Sequence, residues 1–157
     1  MPAADPALLA RFREGIEAMP LNRLLGLRVP ELGDGRARAE LDDAPRLLNH
    51  AGGMHAAAQY ALVEAACGAA ATSAFVDLLG AAVPLAQRVE IGFRRPAGGA
   101  CTAAAAADPD EAERARELVA EGRDAAFSVV CEVRDSAGEV TTAAVMRWVL
   151  RSLPPER

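Results

Sequence analysis

Residues Asn49 to Gly68 read NHAGGMHAAAQYALVEAACG. From about Met54 to Leu79 the chain has no Pro and only one Gly, Gly68, and it is rich in Ala and apolar on nearly every side. That composition predicts a long helix, over 54–79, buried all round. Glu64 is the only acidic residue between Asp43 and Asp77. A carboxylate among Ala, Leu, Val, Tyr and Cys costs several kcal/mol to bury without partners, so its presence calls for a function. Ahead of it an Asn, a Gly pair and a His lead into the first helical turn, where unpaired backbone N–H groups offer themselves to an anion or a polarised carbonyl. The segment thus holds a desolvated carboxylate and an oxyanion cradle.

A buried helix must be wrapped, and the flanking sequence supplies strands. Asp5 and Pro6 are the N-cap and first position of an amphipathic helix over about residues 1–20, with Leu8, Leu9, Phe12 and Ile16 near one face. LNRLLG reads as a connection. LRVPEL is a first strand, Gly33-Asp34-Gly35 turns the chain, and RARAELD returns with Ala37, Ala39 and Leu41 facing inward. After the helix, Val89, Ile91 and Phe93 alternate with charged residues up to the Pro96–Gly99 turn, and CTAAAAA reads as a strand against its Ala-rich helix propensity. DEAERAREL is a charged surface helix or loop. Phe127 to Val133 and Val140 to Leu150 form a hairpin about the Asp135–Gly138 turn. Segregated elements of this kind predict an α+β fold, a mainly antiparallel curved sheet wrapped around a long central helix, in one domain over residues 1–157.

Composition narrows the function. The formal charge is −5, and the 17 basic residues, all Arg, form no basic run. This argues against a nucleic-acid partner or an anionic membrane surface. No apolar window is long enough for a membrane span without interruption, and a cytoplasmic location is expected. The three cysteines, Cys67, Cys101 and Cys131, have no C-x-x-C spacing and read as buried thiols, with no disulfide framework or metal site. Tyr60 and Trp148 read as core, with Trp148 also a candidate for an acyl pocket.

The predicted architecture, together with N-x-x-G-G-x-H-A followed by Glu, resembles the hotdog-fold thioesterase superfamily and its PaaI-type, phenylacetyl-CoA thioesterase-like branch. The resemblance spans nearly the whole chain. It implies an acyl-CoA or acyl-carrier-protein thioesterase that is a homodimer or a dimer of dimers, with a small-molecule acyl thioester as substrate and no cofactor or metal. It implies catalytic roles for Asn49, His55, the Ala56 backbone N–H and Glu64. Gly53, Gln59, Arg94 and Arg95 are candidates for substrate binding, the two arginines for the CoA phosphates. The branch commonly has His-Gly-Gly at His55-Ala56-Ala57 and Asp at Glu64. Some members hold the attacking water with a Ser or Thr after the helix, where this chain reads GAAVPLAQ, so Thr72, Ser73 and Gln59 are the possible substitutes.

Helix geometry adds an expectation of its own. Ala56 and Glu64 are eight residues apart, about 12 Å along a helix axis, too far to touch one thioester carbonyl. If both act, they come from different subunits, on central helices antiparallel across a dyad. The small residues Ala57, Ala58 and Ala61 suggest room for a bulky or aromatic acyl chain. The alternative reading is a non-catalytic acyl-CoA binding protein that keeps the pocket and hydrolyses nothing.

Overall fold

In the computed structural model, which describes residues 5–153, Asp5 caps a first helix, α1 (Pro6–Ala18), by accepting the Ala7 N–H at 2.9 Å. Residues 1–4 of the expected 1–20 helix lie outside the described residues. The stretch expected as a connection is instead a second helix, α2 (Pro20–Leu25), with Pro20 at its first position. Two side chains fix α2: the buried Asn22 donates back to the Ile16 carbonyl at 2.8 Å, and Arg46 donates to the carbonyls of Leu24 and Leu25. Gly26 ends it at φ +73°, a conformation that favours glycine.

The strands are β1 (Arg28–Gly33), β2 (Arg36–Leu41), β3 (Ala82–Phe93), β4 (Cys101–Ala107), β5 (Ala125–Arg134) and β6 (Val140–Ser152). All pairings are antiparallel, in the order β1-β2-β4-β5-β6-β3. The Ala-rich β4 is a strand because β2 and β5 pair with both its edges and Ala103 and Ala105 point into the core. β3 begins at Ala82, well before the alternation at Val89, and is an edge strand that tolerates Pro84. The charged segment DEAERAREL lies within helix α4 (Pro109–Ala120), capped by Asp108.

The sheet curls around the central helix α3 (Ala56–Ala74), which gives the expected hotdog architecture. α3 is shorter than the expected 54–79. At its start, Met54 and His55 are extended because Met54 bridges to Leu48 and donates to the Ala97 carbonyl. At its end Phe75 turns inward onto Phe127, ring centroids 4.8 Å apart, and a short 3-10 turn follows over Val76–Leu78. Arg116 of α4 caps the Ala74 carbonyl, pairs with Asp77 at 2.8 Å and covers the Phe75 ring.

α3 is not buried all round. It packs chiefly on β2, β4 and β5, and the stripe Ala57, Tyr60, Ala61, Glu64, Gly68 remains open or half-open on this chain. Tyr60, expected in the core, is 40% exposed because it lies on that stripe, whereas Trp148 is buried, with the end of its ring against Gly68.

Candidate active site

The loop that feeds α3 is held by its own backbone and by Asn49. The Asn49 Oδ1 accepts the N–H groups of Ala51 (2.9 Å) and Gly53 (3.2 Å), and Asn49 N–H donates to the Gly53 carbonyl at 2.8 Å. Gly53 is required by close approach: a Cβ there would sit 2.9 Å from the Ala97 carbonyl oxygen. The loop therefore lies flat on the β3–β4 connection and delivers the first turn of α3 at a fixed height.

His55 is the N-cap. Its Nδ1 accepts the Ala57 N–H at 3.0 Å, which makes Nε2 the protonated nitrogen of the neutral ring. The Ala56 N–H, one of the first-turn donors that a helix cannot satisfy, meets no acceptor among the described residues.

Gln59, 4% exposed, locks the turn to the sheet. Its Nε2 donates to the Met54 carbonyl at 3.1 Å, and its Oε1 accepts the hydroxyls of Thr142 (2.6 Å) and Thr141 (3.2 Å). Consecutive strand residues normally face opposite sides. Here Val133 pairs with Thr142 and Arg134 with Val140, so Thr141 is the extra residue of a β-bulge and both hydroxyls reach the same amide. The Thr141 carbonyl also accepts the N–H of Arg94 at 2.8 Å and of Arg95 at 3.4 Å. One bulge thereby ties the end of β3 to the start of α3.

These elements make two clefts. One, of about 350 Å³, is lined by Asn49, Gly53, Ala56, Gln59, Arg94 and Arg95, with Phe93 and Pro96 beside them. Arg95 is paired with Glu139 at 2.7 Å, while Arg94 is in no ion pair among the described residues. The other cleft, of about 420 Å³, is lined by His55, Tyr60 and Glu64 together with Leu21, Leu25, Leu47, Ala57, Ala58 and Ala61. The split follows from helix geometry: residues 56 and 64 differ by about 80° around the axis, whereas 57 and 64 differ by only about 20°.

Glu64 is exposed on the lone chain, and no side chain among the described residues pairs with it. Partial burial pushes its pKa above the ordinary glutamate value, with no cation to offset the loss of solvent. Among the described residues, Tyr60 brings the only hydroxyl to this cleft. Ser73 is spent elsewhere, donating to the Ala70 carbonyl and accepting the Gly35 N–H, and Gln59 is committed to Thr141 and Thr142. Neither replaces the hydroxyl missing after the helix, and Thr72 lies further along, beside α1.

The cysteines offer no nucleophile. Burial and the neighbouring Asp135 and Asp43 push the Cys101 thiol up to about 11, and Cys67 is raised by its hydrogen bond with Cys131 and by burial. Among the described residues no three His, Cys, Asp or Glu side chains converge as metal ligands, and no helix is long and apolar enough to cross a membrane.

A further cavity, about 1280 Å³, lies on the outer face of the sheet, away from α3. Its floor is Ala104, Ala106, Val130 and Ala143, and its rim carries Arg38, which is tied to Glu31 and Glu40. Arg94, which also lines the cleft beside Ala56, reaches this cavity, and Arg36 and Asp34 on its rim are in no ion pair among the described residues, but the cavity contains no residue of α3 or of the loop that feeds it.

Sequence reasoning missed Thr141 and Thr142, which read as ordinary strand residues until a bulge turns both inward. It also missed the wall that α2 makes, because Leu21 and Leu25 sat in an assumed connection.

Residues 11–150 match a family described as "Domain of unknown function (DUF4442)". Among solved structures, a Pseudomonas aeruginosa protein of unknown function, PA5026, described as a probable thioesterase, is 28% identical with a TM-score of 0.81, over 95% of this chain and 97% of that one. AziG from S. sahachiroi is 22% identical with a TM-score of 0.67, over 86% of this chain and 98% of its own. A mutant of the phenylacetic acid degradation protein PaaI from Thermus thermophilus is 22% identical with a TM-score of 0.63, over 85% of this chain and 99% of that one. The last two share the fold. No curated protein matches the sequence.

Proposed function

The chain belongs to the DUF4442 family and has the hotdog fold, and from that premise we propose that it is a thioester hydrolase whose active site is shared between two subunits. One observation carries the reading: a single chain holds the carboxylate and the oxyanion donor in separate clefts, with the stripe between them uncovered. If α3 lies antiparallel to its copy so that Ala56 of one subunit meets Glu64 of the other, residue 60 falls midway and Tyr60 sits at the dyad. That accounts for a tyrosine left open on an otherwise apolar helix. The unpaired edge of β3 supports the same arrangement, since an edge strand invites pairing with a second copy.

In this site the thioester carbonyl oxygen accepts the Ala56 N–H of one subunit, where the helix dipole favours developing negative charge. Glu64 of the other subunit takes a proton from water as the water oxygen attacks the carbonyl carbon. Collapse of the tetrahedral intermediate breaks the C–S bond, and the proton passes from Glu64 to the departing thiolate, giving a carboxylic acid and a free thiol. Direct attack by Glu64, followed by hydrolysis of the mixed anhydride, reaches the same products. Asn49 shapes the loop through Oδ1, lines the cleft and orients the water or the carboxylate. His55 orients the first turn, and Arg94 meets the phosphates of CoA.

The test is hydrolysis of a panel of acyl-CoA thioesters by the wild-type protein and Glu64→Gln. Loss of a positioned general base is expected to lower kcat by roughly 10²- to 10⁴-fold. Hydrolysis that survives the substitution unchanged overturns the mechanism, and tight binding of acyl-CoA without hydrolysis of any chain length supports the binding-protein reading instead. A monomer by sedimentation velocity at assay concentration rules out the shared site.

A further inference from the structure

Of the residues on the open stripe of α3, Ala57, Tyr60, Ala61, Glu64 and Gly68, only Tyr60 and Glu64 have polar side chains. Tyr60 is 40% exposed, and its hydroxyl meets no hydrogen-bond partner among the described residues. Seating a second α3 on the stripe takes that hydroxyl out of water. A hydroxyl buried in this way is costly unless an acceptor meets it, and a phenylalanine would fill the same space without that cost.

The cleft that Tyr60 lines offers few acceptors. Its amide, charged and titratable side chains are Asn22 on α2, Arg46 ahead of α3, and His55, Tyr60 and Glu64 on α3 and its cap. Arg46 has only donors, and these are engaged with the carbonyls of Leu24 and Leu25. His55 spends Nδ1 on the Ala57 N–H, so its ring keeps only the Nε2–H donor. Asn22 is 5% exposed and held to the Ile16 carbonyl. The Glu64 carboxylate is the acceptor that stands unpaired on the stripe, and burial without a donor is what raises its pKa.

Helix geometry decides which Glu64 is met. Tyr60 lies midway between Ala56 and Glu64, about 6 Å along the axis and about 40° around it from each. Long side chains on a helix lean back toward its N-terminus. Tyr60 therefore leans toward Ala56 of its own chain, and no hydrogen bond joins it to Glu64 within the single chain. In the antiparallel pair, the level of Ala56 is where the partner subunit's Glu64 arrives, itself leaning back toward the dyad. The Ala56 N–H and the Tyr60 hydroxyl of one chain thereby face the partner's Glu64 together.

We propose that the Tyr60 hydroxyl donates a hydrogen bond to the carboxylate of the partner subunit's Glu64, fixing one oxygen so that the other takes the proton from the attacking water. The proposal rests on the shared-site hydrolase reading and adds a positioning residue to it. It also answers for the hydroxyl missing after the helix: Tyr60 holds the base where a Ser or Thr would hold the water. A donor to the ionised carboxylate opposes the effect of burial, so the base stays ionised to lower pH than burial alone allows.

The experiment measures pH profiles of acyl-CoA hydrolysis for the wild type, Tyr60→Phe, Glu64→Gln and the double variant, each checked for its oligomeric state by sedimentation. Tyr60→Phe is expected to move the acid limb of kcat/KM upward by about one pH unit and to lower kcat about tenfold with KM unchanged. In the Glu64→Gln background it is expected to have little further effect on kcat. A loss of packing alone does not move the limb. An unmoved limb, or an equal loss in the Glu64→Gln background, overturns the proposal and leaves the hydrolase reading standing. Dissociation of Tyr60→Phe to monomers overturns it too, because the hydroxyl then serves the interface. Heterodimers of the wild type with the Tyr60→Phe/Glu64→Gln chain, isolated by two different tags, keep a single glutamate and test the direction. The shifted limb supports a bond to the partner's Glu64, and the wild-type limb refutes it. If the wild type hydrolyses nothing, or Glu64→Gln hydrolyses at the wild-type rate, the hydrolase reading fails, and a carbon-13 NMR titration of the Glu64 carboxyl decides the contact. A midpoint raised by Tyr60→Phe supports the contact, and an unmoved midpoint refutes it. A wild type that sediments as a monomer defeats the shared site and this proposal with it.

Discussion

Ala56→Pro removes one hydrogen-bond donor and little else. Ala56 is the first residue of α3, where a proline is well tolerated because its N–H has no intrahelical partner and its φ is already helical. The preceding residue, His55, has φ −60° and ψ 140°, within the region that a following proline allows. Ala56 is exposed, so the ring has space, and its N–H has no acceptor among the described residues to lose. Folding stability should be unchanged or raised by about 0.4–1 kcal/mol through the less flexible unfolded chain, equivalent to at most a few degrees in Tm. Loss of an oxyanion donor costs about 10²–10³ in kcat, roughly 2.7–4 kcal/mol. The assay is steady-state hydrolysis beside a thermal melt, and wild-type kcat in a normally folded Ala56→Pro refutes the oxyanion role. Mixing carries the logic further. When Ala56→Pro chains are refolded with an equal amount of Glu64→Gln chains, a site built across subunits is intact once in each mixed dimer, which restores about a quarter of wild-type activity. A site built within one chain stays at the level of the separate variants, and that result sinks the shared site.

Three other substitutions probe the remaining parts. Because burial raises the Glu64 pKa, the folded state binds a proton that the unfolded chain has released between the ordinary glutamate range and the raised value, so stability conferred by protonation is lost as pH rises through that window. Glu64→Gln should therefore melt higher than wild type at neutral pH, the gap closing toward pH values below the ordinary glutamate range, while the acid limb of wild-type kcat/KM lies above that range; a melting difference independent of pH contradicts the burial. Gln59→Leu strands the Thr142 hydroxyl and the Met54 carbonyl, leaving Thr141 its bond to the Val133 carbonyl, and should destabilise by about 2–3 kcal/mol in urea denaturation, whereas a neutral effect denies the bulge its role. Arg94→Ala should raise KM for acyl-CoA by roughly tenfold, about 1.4 kcal/mol, and leave the N-acetylcysteamine thioester unaffected; equal effects on both remove Arg94 from phosphate binding.

The strand pattern was legible wherever one face is buried and the other wet, as in Ala37, Ala39 and Leu41 of β2 or Phe127, Val129, Cys131 and Val133 of β5. β4 was legible despite its alanines because a strand of small residues is what fits beneath a helix packed closely on the sheet. The failures were local. Pro20 reads equally well as a stop for α1 and as the first residue of α2, and only the buried Asn22 and the distant Arg46 decide for the second helix. α3 stops at Ala74 because Phe75 finds Phe127, a contact across 52 residues that no local propensity encodes.

Hydrophobicity also misled in an informative way. An all-apolar helix predicts burial on every side, and a single chain cannot provide it: the sheet covers α3 from β2, β4 and β5, and α1 and α2 reach only part of the rest. The stripe left over carries Tyr60 and Glu64, and it is the surface that the proposed second chain would cover. Glu64 in a fully buried helix would be an uncompensated charge costing several kcal/mol. In the proposed shared site, where the stripe stays wet until substrate and partner close over it, Glu64 would remain ionised and still lose enough solvent to become a better base. The same residue that looked improbable in a buried helix is, for this reason, the one that requires the helix to be open on one side.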